Sequence, residues 1–166
     1  MVDLQTILTY LTLISVPIGV AYHIMTLNNS RKNQQLQLET REAQLMMQLW
    51  SSWMNYRNQQ VFWVGIEYED FDDFWERYGS DDVFWKEHSE IMAWYENVGV
   101  LVKEGLLDIR LIALMYAGAT RMFWEKLEPL MDGLKEKWKY PRLWSETEYL
   151  CKTLIKYMEE HPELAT

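Results

Sequence analysis

From Leu4 to Leu27 the chain runs 24 residues without a formal charge, after which apolar and polar positions alternate at helical spacing. At about 1.5 Å of rise per residue, a helix of that length exceeds the roughly 30 Å hydrocarbon core of a bilayer, and a transmembrane helix over 3–28 is expected. The apolar run is striped. Gln5, Thr9, Thr12, Val16, Gly19, His23 and Thr26 succeed one another at spacings of 4, 3, 4, 3, 4 and 3, the seam of a left-handed helical bundle. Of the seven polar side chains in the run, only Thr6 and Ser15 fall off that seam. Pro17 with Gly19 marks an expected kink.

Asn28-Asn29-Ser30 reads as a break or helix cap. Residues 30–60 then contain neither Gly nor Pro, which predicts a long amphipathic helix beside the membrane. Its apolar members Leu38, Leu45, Met46, Leu49, Trp50, Trp53 and Met54 recur at helical spacing, opposite Gln34, Gln37, Arg41, Gln44, Gln48 and Asn55. Residues 61–166 read as a compact helical domain. It has a short helix near 71–78 ended by Gly79, a helix over 81–104 capped by Ser80 and stopped by Gly105, and another from Asp108 to about Trp138 kinked at Pro129. The last helix starts at Ser145, whose spacing to Glu148 fits a capping box, and ends before Pro162. The fold class is all-α: one transmembrane helix, one long amphipathic helix and a compact helical domain.

Composition supports helices. There are 9 Trp, 10 Tyr, 5 Phe and 10 Met against 7 Gly and 4 Pro in 166 residues. The formal charge of −9 is unevenly placed: residues 28–66 carry four basic and two acidic side chains, and residues 67–166 carry 12 basic and 22 acidic ones. An acidic body repels phosphates, which argues against nucleic acid as a partner. Arg31 and Lys32 directly after the apolar run put the body in the cytoplasm and the N-terminus outside. A start carrying Asp3, with no Ala-x-Ala pattern after the run, argues against a cleaved signal.

Candidate chemistry is sparse. The single cysteine, Cys151, excludes an internal disulfide and any Cys-based zinc site. His23, His88 and His161 lie in the span, in a helix and at the chain's end, so they are not expected to meet around a metal. The acids of residues 67–82 lack the glycine and terminal glutamate of a helix-loop-helix calcium loop and read as helix caps and solvated carboxylates. No cofactor and no catalytic constellation is expected.

The stretch from Val98 to Leu154 resembles a family of small prokaryotic membrane-anchored proteins known only as a domain of unknown function. Glu96 and Gly99 before LVKEGLLD, Trp124, and Pro141, Arg142 and Glu148 carry the resemblance. It implies a single N-terminal span and a helical cytoplasmic domain, without substrate or cofactor. Glu96, Arg142 and Glu148 are expected to form a structural ion-pair network.

The expected function is therefore a non-enzymatic single-pass membrane protein. It self-associates through the polar seam and presents its helical domain to an unidentified protein partner, with lipid and further copies of itself as the other contacts. Two alternatives remain open. One is a small homo-oligomeric ion channel with the seam lining the pore, separable by ion flux in liposomes; the other is a membrane-tethered enzyme or ligand-binding domain. A membrane-buried His23 also permits a pH-dependent bundle.

Overall fold

A computed structural model describes residues 3–164, with the side chains of Thr6, Ile7, Tyr10 and Thr12 outside the described set. Every regular element among the described residues is helical. The chain divides into two units, Met1–Gln44 and Leu45–Thr166. The second starts well before the boundary at residue 61 drawn from the sequence, because the end of the long helix supplies core side chains to it.

Helix α1 is Leu4–Gly65, 62 residues without interruption. Asn28-Asn29-Ser30 therefore does not break it, and the expected helices over 3–28 and 30–60 are one. Asn and Ser are poor helix formers by only a fraction of a kcal/mol each, too little to stop a helix whose flanks propagate well. Pro17 also lies inside it. Among the described residues, no helix is long and apolar enough to cross a membrane. Tyr22, His23, Asn28 and Asn29 dilute the apolar character of the first half of α1.

In the first unit nearly every described side chain is exposed. The second unit has a core. Met46, Leu49, Trp53 and Trp63 of α1 pack with residues of α3 (Asp82–Lys103), α4 (Ile109–Leu127) and α6 (Ser145–Glu160). Leu38, Trp50 and Met54, expected on the same apolar face, are exposed at 66%, 44% and 45%. Large aromatics fill the centre: Trp63, Phe74, Tyr95 and Phe123 are completely buried, each stabilising by roughly 1.5–3 kcal/mol or more. Tyr95 stacks on Phe123 at 4.4 Å and 12°, and Trp53 meets Trp94 at 5.1 Å and Tyr116 at 5.3 Å.

Local signals explain most helix ends. Asp70 caps the short α2 (Phe71–Phe74), which continues as a π-helical turn through Gly79. Asp81, and not Ser80, caps α3, its carboxylate accepting from the amides of Val83 and Phe84. The reason is reach: Asp81 Oδ1 lies 2.9 Å and 3.0 Å from those two nitrogens. At the other end Gly105 has φ +67°, with the Leu106 amide donating to the Leu101 carbonyl and the Gly105 amide to Val102, the paired bonds of a left-handed stop. Asp108 caps α4 as expected. Pro129 falls in a 3-10 turn, Glu128–Leu130, that separates α4 from α5 (Met131–Lys137).

Candidate functional site

Two of the residues singled out in the sequence, Glu96 and Gly99, lie at the contact between α3 and the start of α6. Glu96 and Gly99 are one turn apart on α3. The Glu96 Oε2 accepts from the Glu146 amide (3.1 Å), the Thr147 amide (2.8 Å) and the Thr147 hydroxyl (3.0 Å). These amides belong to the first turn of α6, whose orphan donors and positive dipole end favour a carboxylate. Gly99 permits the approach: a Cβ there would lie 2.1 Å from the Glu146 carbonyl oxygen. Trp144, in left-handed conformation at φ 49°, turns the chain into α6.

This arrangement replaces the expected capping box. Ser145 is already helical, and its preceding residue Trp144 makes no side-chain cap. Glu148 bonds Lys135 (2.8 Å) on α5 and Lys152 (2.7 Å) one turn on, instead of reaching back to its own helix start. Nor do Glu96, Arg142 and Glu148 form one network. Glu96 is spent on the α6 amides and Glu148 on its two lysines, while the charge of Arg142 acts on Glu146. Glu146 itself pairs with Lys103 at 2.8 Å and 3.0 Å.

The electrostatics follow the geometry. Hydrogen bonding to Lys103 holds the Glu146 carboxyl below its ordinary value, and hydrogen bonds from Lys135 and then Lys152 do the same for Glu148. Lys152 is raised by Glu148. Amides answer the Glu96 carboxylate and lysines answer Glu146 and Glu148, so the site works as a clamp that fixes α6 on α3 and α5.

A second polar group was missed in the sequence. Gln60, 5% exposed, donates from Nε2 to the Tyr95 hydroxyl (3.1 Å) and to the Ala119 carbonyl (2.6 Å), tying α1 to α3 and α4. Its signal was legible: Met46, Trp53 and Gln60 lie seven apart, an amide on an otherwise apolar stripe. Trp94 Nε1 donates to the Ser52 hydroxyl (3.0 Å), and among the described residues the buried Tyr116 hydroxyl has no hydrogen-bond partner, its pKa pushed up to about 12 by burial.

The seam residues all belong to the first unit. Gln5, Thr9, Val16, Gly19, His23 and Thr26 lie on the exposed helix of the first unit, with Gly19 half-shielded, and the Thr12 side chain is outside the described set. Thr9 and Thr26 donate their hydroxyls to the carbonyls of Gln5 (2.8 Å) and Tyr22 (2.9 Å), the back-bonding that lets a threonine sit on a helix without an external partner. The histidines stay apart. His88 Nδ1 is 2.8 Å from the Phe84 carbonyl and its ring stacks on Phe84, whereas His161 lies 3.0 Å from Glu163. Among the described residues no three His, Cys, Asp or Glu side chains are placed to hold a metal ion. Cys151 is buried, and burial raises its thiol well above the ordinary value.

No curated protein and no solved structure matches the chain. A family model described as a domain of unknown function, DUF4760, matches residues 13–154, and the chain belongs to that family.

Proposed function

We propose that the protein is a membrane-anchored, non-enzymatic adaptor: residues 4–27 hold it in a bilayer, copies associate through the seam, and the acidic helical body is presented to a partner. One observation carries the anchor. Leu4, Leu8, Ile14, Ile18, Tyr22 and Met25 are 71%, 56%, 60%, 62%, 68% and 65% exposed, and Leu13, Val16, Val20, Ile24 and Leu27 are likewise exposed between them. Water around that many large apolar side chains is unfavourable by roughly 1.5–3 kcal/mol each, and lipid covers all sides of a helix at once. The 24 uncharged residues from Leu4 to Leu27, with Arg31 and Lys32 after them, support a span with the body on the cytoplasmic side.

The test is extraction. Full-length protein is expected to stay with membranes at alkaline pH, and a Val16→Arg, Val20→Arg double variant to be released, since an arginine near a span's centre costs about 2.5–3.5 kcal/mol. Release of the unaltered protein by alkali would defeat the anchor. Native mass spectrometry of the detergent-solubilised chain then reads association: a monomer would defeat the self-association.

A further inference from the structure

The second half of α1 has two faces, and the core uses only one. Met46, Leu49, Trp53, Gln60 and Trp63 point into the body. On the other side Met47, Met54 and Val61 are 70%, 45% and 67% exposed, with Ser51 and Asn58 exposed between them. Met47, Ser51, Met54, Asn58 and Val61 are spaced 4, 3, 4 and 3. The same count reaches back without a skipped place through Gln44, Thr40, Gln37, Asn33 and Ser30 to Thr26 and the N-terminal seam. One helix, α1, carries all of these positions.

We propose that this outer face of α1, Met47, Ser51, Met54, Asn58 and Val61, is the docking surface for a second copy of the chain, parallel and in register. Charge is the first argument. Asp3 precedes α1, and none of its six charged residues (Arg31, Lys32, Glu39, Arg41, Glu42 and Arg57) falls on the 4-3 count, so two copies of a protein of charge −9 meet there without like charges facing. The flanking positions agree: in a parallel pair Leu36 would face Arg41, Trp50 would face Asn55 and Arg57 would face Phe62, and none of these is a repulsive pair. A slip of three residues would set Gln44 against Met47 and Asn58 against Val61, leaving those amides beside apolar neighbours, which disfavours it against the aligned pair.

This inference rests on the anchor proposed above, which gives all copies the same orientation and raises their effective concentration, so that a short apolar contact suffices. It differs from association through the membrane seam in its location. The surface lies on the helical body.

The experiment is site-directed cross-linking of the full-length chain in its membranes, in a Cys151→Ala background. Single cysteines replace Gln37, Gln44, Ser51 or Asn58, one seam layer each, with Gln35→Cys off the seam as control, and a short bifunctional maleimide is the reagent. Covalent dimers at Gln44, Ser51 and Asn58 well above Gln35 are expected. Adding Met54→Glu and Val61→Glu is expected to cut the Ser51 cross-link about tenfold, equivalent to 1.4 kcal/mol, without changing alkaline extraction. Oligomers by native mass with a flat cross-linking profile would overturn this inference and leave the membrane seam standing. Adducts to a different protein at these positions would overturn it too, and a monomer would overturn both.

Discussion

Glu96 gathers three donors onto one carboxylate oxygen, and all three come from the start of a helix some fifty residues later in the chain. Charged hydrogen bonds of this kind contribute roughly 1.5–3 kcal/mol, and their loss would strand two amides at the α6 end. Glu96→Ala is therefore expected to lower unfolding stability by about 2–3 kcal/mol in a urea titration, and Glu96→Gln, which keeps an acceptor, by about half as much. Cys151 gives a second residue-level test. Completely buried and with its thiol raised first by burial and then by the charge of Glu128, it is expected to resist alkylation in the folded protein and react once denaturant is added, as read by intact mass. Rapid labelling without denaturant would show that α6 opens. Cys151 reads from the sequence as a small apolar residue in a helix and is buried in α6, whereas the role of Glu96 was not legible alone. Glu96 stood out in the sequence only as part of a resemblance, because its partners are set by tertiary contact, whereas Gln60 was an amide on an apolar stripe and could have been found.

At the scale of elements, backbone chemistry decides what the sequence discloses. Gly105, Asp108 and Pro129 act through their own neighbours, and each ends, starts or bends a helix where its residue type predicts. The start of α6 does not, since the Ser145 and Glu148 spacing is local but the Glu96 carboxylate and the Lys135 and Lys152 ammoniums take the groups the box needs. Two substitutions probe this level. Lys139 closes α5 at φ 51°, with the Tyr140 amide donating to the Lys135 carbonyl, a place where glycine is unstrained. Lys139→Gly is expected to stabilise the fold by about 0.5–1 kcal/mol in thermal or urea unfolding. Gly99→Ala should do the opposite, destabilising by about 1–3 kcal/mol, because its methyl group would overlap the Glu146 carbonyl and push α6 off α3.

For the whole molecule, the 22 acids against 12 bases of residues 67–166 make stability a matter of pH. Glu146 and Glu148 have folded-state values below the ordinary carboxylate value, through Lys103 for the first and through Lys135 and Lys152 for the second. A carboxyl lowered by folding contributes stability that is fully present above its unfolded value and drains away as pH falls through the folded one. Acidification below the ordinary carboxylate range is thus expected to lower the unfolding midpoint, and Glu148→Gln to lower it at neutral pH while flattening that acid decline. A Glu148→Gln variant with an unchanged acid decline would remove the pair from the account. The clamp between α3 and α6 also sets an order of events during synthesis. Glu96 is made about fifty residues ahead of the amides it accepts, which at roughly 5–20 residues per second is on the order of several seconds. Until Thr147 has been made, neither the Glu96 carboxylate nor the Gly99 face has the helix start it meets in the folded protein, so this side of α3 is the last part of the body to gain its cover.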